Sequence, residues 1–244
     1  MNFGPLLFLG LLITMSFSWG AFILAPQVQL GQQKPALFED VGQIYPFDRS
    51  GESHQGQEIY RQNGCYYCHT RLVTGNDLPQ WGSRITVAQD YLYDQPVMLG
   101  RLRVGPDLAN VGARNTDIQW HLLHLYNPQI TSKGSTMPSY RFLFEERRVK
   151  PGQESAQALK IPAPYAPKTG IEVVPKRDAH VLVQYLLSQR HDFPLLEAPL
   201  PKGSRPAAAV TNAVAGSTNP PGVIVTNAST NQVRPALTTP ATPK

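Results

Sequence analysis

The 244 residues predict a mainly α chain, with one N-terminal transmembrane helix, a loop-rich folded domain and a disordered C-terminal tail. Three observations lead there. Leu6–Leu24 is a run of nineteen uncharged residues between Pro5 and Pro26. Twenty-three prolines and nineteen glycines exclude a compact helical bundle with short loops, because proline breaks helices and glycine disfavours them. From about Phe193 the chain is rich in Ala, Thr, Asn and Pro, repeats Val-Thr-Asn-Ala at 210 and 225, and has little apolar surface to bury.

The apolar run would rise about 28 Å as a helix, close to the hydrocarbon thickness of a bilayer. A cleaved secretory signal is the rival reading. It needs a basic leader and a small-residue cleavage site, and Met1–Pro5 contains neither Lys nor Arg. The expected organisation is therefore a short N-terminus at 1–4, an anchor at 5–25, a linker at 26–50, a folded domain at 51–192 and the tail at 193–244. The linker shows no sustained helical or strand period and reads as a tether that stands the domain off the membrane.

The formal charge of +5 and a pI near 9.2 make an anionic partner a class to consider. Its distribution excludes nucleic acid. Residues 198–244 hold Lys202, Arg205, Arg234 and Lys244 without an acid, while the rest of the chain holds 18 basic and 17 acidic groups.

Within the domain, Ser53 is placed to cap a helix running to Gln62, and Asn63-Gly64 is a left-handed stop signal. Directly after it comes Cys65-Tyr66-Tyr67-Cys68-His69, the C-x-x-C-H form of c-type haem attachment. Two thiols three positions apart add to the two vinyl groups on one haem edge, and the adjoining imidazole becomes the proximal iron ligand. The alternatives are a redox dithiol, which lacks a surrounding βαβ pattern here, and half a zinc site, which lacks further thiolates. With only two cysteines, a four-thiolate site is excluded. The domain is thus expected to be a class I-like cytochrome c domain with one covalent haem c. Because such attachment takes place outside the cytoplasm, the domain is expected on the periplasmic side of a bacterial inner membrane, with residues 1–4 inside.

A low-spin carrier needs a second axial ligand, and Met98, Met137, His54, His121, His124, His180 and His191 are the candidates. Met137 is favoured. It lies in Gly134-Ser-Thr-Met-Pro-Ser-Tyr140, where Pro138 stiffens the backbone beside the sulfur, and a thioether raises the reduction potential relative to a second imidazole. Met98 reads as packing. His121 and His124, three apart in Trp120-His-Leu-Leu-His-Leu125, read as a structural pair, with a metal as the lesser alternative.

Arg101-Leu-Arg-Val-Gly-Pro-Asp-Leu108 offers a rigid turn in which the Pro106 carbonyl is the candidate acceptor for the free N–H of His69. Arg101 and Arg103 are candidates to neutralise haem propionates, with a solvated surface position as the alternative. Asp107 is expected to hold the turn. Near the end, Arg177–Ser188 carries apolar residues at 181, 182, 185 and 186 and reads as an amphipathic helix. Its expected partner is the helix before Cys65, with Tyr185 or Leu186 crossing near Gly56 and Tyr60.

Five motifs in order, C-Y-Y-C-H-T at 65–70, Tyr91-x-Tyr-Asp-x-Pro96, R-x-G-P-D-L at 103–108, W-H-L-L-H-L at 120–125 and S-T-M-P-S-Y at 135–140, carry a resemblance. With the N-terminal span, the chain resembles the membrane-anchored monohaem subunit of cbb3-type cytochrome c oxidases, the FixO/CcoO family, over roughly residues 5–145. The resemblance implies a non-catalytic electron-transfer subunit taking electrons from a c-type cytochrome toward a haem-copper catalytic subunit, beside a further cytochrome c subunit and membrane lipid. It implies Cys65 and Cys68 as covalent haem residues and His69 and Met137 as iron ligands. The chain departs from the family where Arg71-Leu-Val-Thr74 replaces a Gln and a later Arg, and contacts there are not carried over. Two other readings remain at this stage: the anchored cytochrome c of a nitric oxide reductase or another respiratory complex, and a haem enzyme or gas sensor with an open sixth position.

Overall fold

A computed structural model describes residues 3–31, 33–38, 42–150 and 152–200. The tail beyond residue 200, where disorder is expected, lies outside the described residues.

The N-terminal helix is longer than the apolar run. α1 (Gly4–Trp19) passes through a π turn (Gly20–Leu24) into α2 (Ala25–Leu30). Pro26 was expected to end the span, because its ring removes one helical donor and crowds the preceding turn. The widened turn relieves that crowding, with the Ala25 N–H donating to the Gly20 carbonyl instead. The resulting helix, Gly4–Gln29, is long and apolar enough to cross a membrane, and none of its most apolar window is buried in the protein. Its one threonine, Thr14, returns its hydroxyl to the Gly10 and Leu11 carbonyls, at 3.0 and 2.9 Å.

The segment expected as a tether holds structure. β1 (Ala36–Phe38) pairs antiparallel with β2 (Gln43–Tyr45), Ala36 opposite Tyr45. Tyr45 is buried, and its hydroxyl donates to Asp90 at 2.5 Å. Arg84 grips the same carboxylate with two bonds, at 2.6 and 3.0 Å, and donates through Nε to the Phe193 carbonyl. The Phe193 ring stacks on Tyr45 at 5.4 Å and meets Phe38 edge-on at 4.5 Å. Phe193, read from composition as the start of the tail, therefore packs onto this hairpin, and Leu195 and Ala198 beyond it are buried.

The core is a helix crossing. α3 (Gly51–Gln62) starts one turn earlier than expected, because the Ser50 hydroxyl rather than Ser53 caps it, accepting from the Ser53 N–H at 3.2 Å. After two short helices, α4 (Val111–Arg114) and α5 (Ile118–Tyr126), come α6 (Pro128–Thr131), the strands β3 (Phe144–Arg148) and β4 (Ile171–Pro175), and α7 (Arg177–Leu187). α3 and α7 touch at Gly56, where an added Cβ would lie 1.9 Å from the Val181 carbonyl oxygen and 2.7 Å from the Tyr185 Cβ. One residue-turn on, the Tyr60 and Tyr185 rings lie 5.2 Å apart. Leu122, Leu125, Leu182 and the expected packing residue Met98 complete the cluster.

β3 and β4 form an antiparallel ladder from Phe144 opposite Pro175 to Arg148 opposite Ile171. Sequence pattern misses it because β3, Phe-Glu-Glu-Arg-Arg, buries only Phe144, while Val173 and Val174 of β4 supply the apolar face.

Behind α7, His191 is buried between Asp90, Asp94, Arg71 and Arg84, and burial pushes its pKa down to about 3 against the opposing pull of Asp90. The unfolded chain takes up this proton below about 6.5, and the folded one refuses it until about 3. Stability is thus greatest above that window and falls as pH drops through it, by about 1.4 kcal/mol per pH unit. Denaturant midpoints measured from pH 7 to pH 4 should fall, with the half-buried His124 contributing in the same direction, and His191→Asn should make the decline shallower. An unchanged slope in the variant would assign the acid lability elsewhere.

Candidate cofactor site

α3 ends as its sequence dictates. The Asn63 side chain returns to the Ile59 carbonyl at 2.8 Å, and Gly64 adopts φ 67°, a left-handed stop that favours glycine. The reversal feeds a single tight turn, Cys65–Tyr67, closed by the Cys68 and His69 N–H groups on the Cys65 carbonyl at 3.2 and 3.0 Å. Cys65, Cys68 and His69 line one cavity as a result, and both thiols are free. Burial pushes the Cys65 thiol up to about 11.

The 99–108 loop runs alongside this turn. The Arg71 N–H donates to Leu99, Gly105 to Cys68 and Leu108 to Thr70, at 2.8, 3.0 and 2.8 Å. That pairing sets the Pro106 carbonyl 2.8 Å from His69 Nδ1, which must donate because the carbonyl has only lone pairs to offer. Gly105 allows the approach, since a Cβ there would lie 2.4 Å from the His69 ring. Asp107 holds the turn as expected, accepting from Thr70 Oγ1 at 2.6 Å and from the Leu72 and Ala109 N–H groups at 2.8 Å each. Burial lowers the His69 pKa more than the Pro106 bond raises it, so the ring is neutral with Nε2 left as a lone-pair donor.

Met137 reaches the same space from the opposite loop. Gly134, at φ 82°, donates to Gln129 Oε1 at 2.9 Å, and Gln129 Nε2 returns a bond to the Ser135 carbonyl. The Tyr140 N–H closes the loop onto the Leu125 carbonyl at 2.8 Å. Met137 and His69 both line two adjoining cavities, an inner one of about 240 Å³ and an outer one of about 440 Å³. Cys65, Pro106, Trp120 and His124 are also common to both.

The histidine pair of α5 is held by the chain. One ring nitrogen of His121 bonds the Asn115 carbonyl at 3.0 Å, while His124 bonds Thr131 Oγ1 at 2.6 Å and stacks flat on Trp120 at 4.8 Å. Burial pushes His124 down to about 4. Among the described residues no three His, Cys, Asp or Glu side chains gather to hold a metal ion.

The basic residues are distributed over several surroundings. Arg103 is engaged by Asp77 in an ion pair, with further bonds to Thr70 Oγ1 and the Leu72 carbonyl at 2.8 Å each. Arg101 lines a separate surface cleft with Arg61, Tyr66 and residues 96–100. Arg71, the departure noted in the sequence, is fully buried and paired with Asp94 at 2.7 Å, where Arg49 also binds at 2.5 Å. The cavity instead receives Arg114, a residue with no distinguishing motif of its own.

The donor set fits a haem. Two free thiols, an imidazole fixed through Nδ1 with Nε2 available, and a thioether line a largely apolar space, and Gly105 leaves room for the ring. No curated protein matches the chain. A family model described as "Cytochrome C oxidase, mono-heme subunit/FixO" matches residues 5–184, which spans the anchor, the thiol pair, the Met137 loop and most of α7.

Proposed function

The chain belongs to the FixO family of mono-haem cytochrome c oxidase subunits, and from that premise we propose that it carries its haem covalently on Cys65 and Cys68 and relays electrons within a cbb3-type oxidase. The donor would be a c-type cytochrome, the acceptor the haem-copper catalytic subunit, and this subunit would make and break no bonds of oxygen. The observation that carries the reading is the convergence of Cys65, Cys68, His69 and Met137 on one cavity, with His69 locked to Pro106.

The bound haem supplies a one-electron iron couple. Cys65 and Cys68 hold it through thioether bonds, so exchange with the solvent pool is blocked. His69 offers Nε2 to the iron, and its Nδ1–H bond to Pro106 fixes the ring and raises its basicity. Met137 offers a soft sulfur that favours the reduced form. Leu125, Leu182 and Leu186 give the cavity apolar walls. The N-terminal helix would anchor the domain in the membrane and, because thioether formation takes place outside the cytoplasm, the domain would lie on the periplasmic face of a bacterial inner membrane.

The purified ferric protein is expected to show the weak band at the red end of the visible spectrum that marks Met ligation, and its ferrous form to resist CO. Met137→Ala should abolish the band, admit CO promptly and lower the midpoint potential by more than about 59 mV, a tenfold shift for one electron. Prompt CO binding by the unmodified protein would sink the carrier reading and favour a sensor or enzyme.

A further inference from the structure

We infer that Arg114 is the positioning cation for the carboxylate edge of the haem, a role the sequence suggested for Arg101 and Arg103. The inference rests on the proposed haem attachment and deepens it. A haem held by its vinyl edge at Cys65 and Cys68 turns its two carboxylates toward the other edge, and carboxylates against apolar walls need a charge or donors to compensate them.

Two permanently charged side chains line the shared space, Lys133 on the outer cavity beside Cys68 and Arg114 on the inner one, and only Arg114 lies away from Cys68. Cys68 lines only the outer cavity, Cys65 lines both, and Arg114 lines only the inner one, so Cys68 and Arg114 mark different ends of the shared space with Cys65 between. Arg114 is the only permanently charged side chain in the inner lining. Its guanidinium lies 5.0 Å from the centroid of the Trp81 ring and donates one bond to the Asp107 carbonyl. No carboxylate pairs with it among the described residues, whereas Arg49, Arg71, Arg84 and Arg103 each have one.

Its backbone is also fixed. At Gly112 of α4 a Cβ would lie 2.0 Å from the Leu187 carbonyl oxygen, and the Gly112 N–H donates to Gln189 at 3.0 Å. A cation held on a helix clamped to α7, with most of its donors unused, is preorganised for a bidentate carboxylate.

The test uses full-length haem-loaded protein with Arg114→Gln, Arg114→Lys and Arg103→Gln. The readouts are the propionate bending band of the resonance Raman spectrum and the midpoint potential. R114Q is expected to shift the band and to move the oxidation equilibrium about tenfold toward ferric, 59 mV for one electron. R114K should recover most of the potential but not the band, and R103Q should leave the band in place.

An unmoved band in R114Q, or a band moved by R103Q and not by R114Q, overturns the inference. Should R114Q fail to accumulate, R114K decides alone, because it keeps the charge and loses the fork, and an unshifted band there overturns the inference as well. Absence of thioether-linked haem in the unmodified protein would instead mark failure of the underlying attachment reading, since the Raman comparison then has no subject.

Discussion

Replacing Cys65 and Cys68 together with alanine is expected to remove all covalently bound haem. The unmodified chain should keep its haem through denaturing electrophoresis and acidic acetone extraction, and the double variant should surrender it completely. Either single variant should retain one thioether and shift the pyridine haemochrome band toward that of a singly attached haem. The size of the effect follows from the bond type. Axial coordination alone leaves haem exchangeable, whereas a carbon–sulfur bond persists when the fold is lost. The local geometry adds specificity, because both free thiols and His69 line the same cavity from a single closed turn. Haem retained by the double variant under denaturing conditions would show that attachment runs through other residues.

The second large effect is expected at Gly56. Gly56→Val should destabilise the domain by about 3 kcal/mol or more, at the upper end of overpacking costs. The added carbon would fall 1.9 Å from a backbone carbonyl of α7, so relief requires the helices to part rather than a side chain to swing. Parting them also opens the cofactor site, because Tyr60 of α3 and Leu182 and Leu186 of α7 line the inner cavity. The Soret band should therefore broaden along with the loss in melting temperature. Gly51→Ala, on the same helix with nothing within 4 Å of the added carbon, is the control and should change stability by less than about 1 kcal/mol. Equal melting temperatures for G56V and G51A would mean that the crossing does not carry the fold.

Much of the site could be read from residue order, because its chemistry is local. The C-x-x-C-H spacing lies within one turn, Gly64 stops α3 where an Asn-Gly pair should stop it, and the Gly105-Pro106 turn places a carbonyl against His69 as its rigidity suggests. The α3 and α7 crossing was legible for a different reason, since apolar residues 181, 182, 185 and 186 share one face of α7 and the helix before Cys65 is its expected partner. What escaped were features set by partners distant in sequence. Arg103 looks free until folding brings Asp77, twenty-six residues away, against it. Arg114 looks ordinary until α4 is clamped on α7. Residues 193–200 read as tail because their composition continues into Pro- and Ala-rich sequence, yet Phe193 finds Phe38, Tyr45 and Phe47 waiting across the fold. β3 hides because its stabilising face belongs to β4.

The docking of the β1–β2 hairpin through Asp90, Arg84 and Phe193 changes the mechanics of the anchor. A loose tether of twenty-five residues has a contour of about 85 Å and would let the domain sweep a wide volume above the bilayer. With the helix continuing to Leu30 and β1 beginning at Ala36, only residues 31–35 separate span from domain, a reach of about 17 Å at full extension. The anchor thus acts as a mast and not as a leash. If electrons pass through the domain as proposed, they would be handed over within that short reach of the helix end, close to the lipid surface.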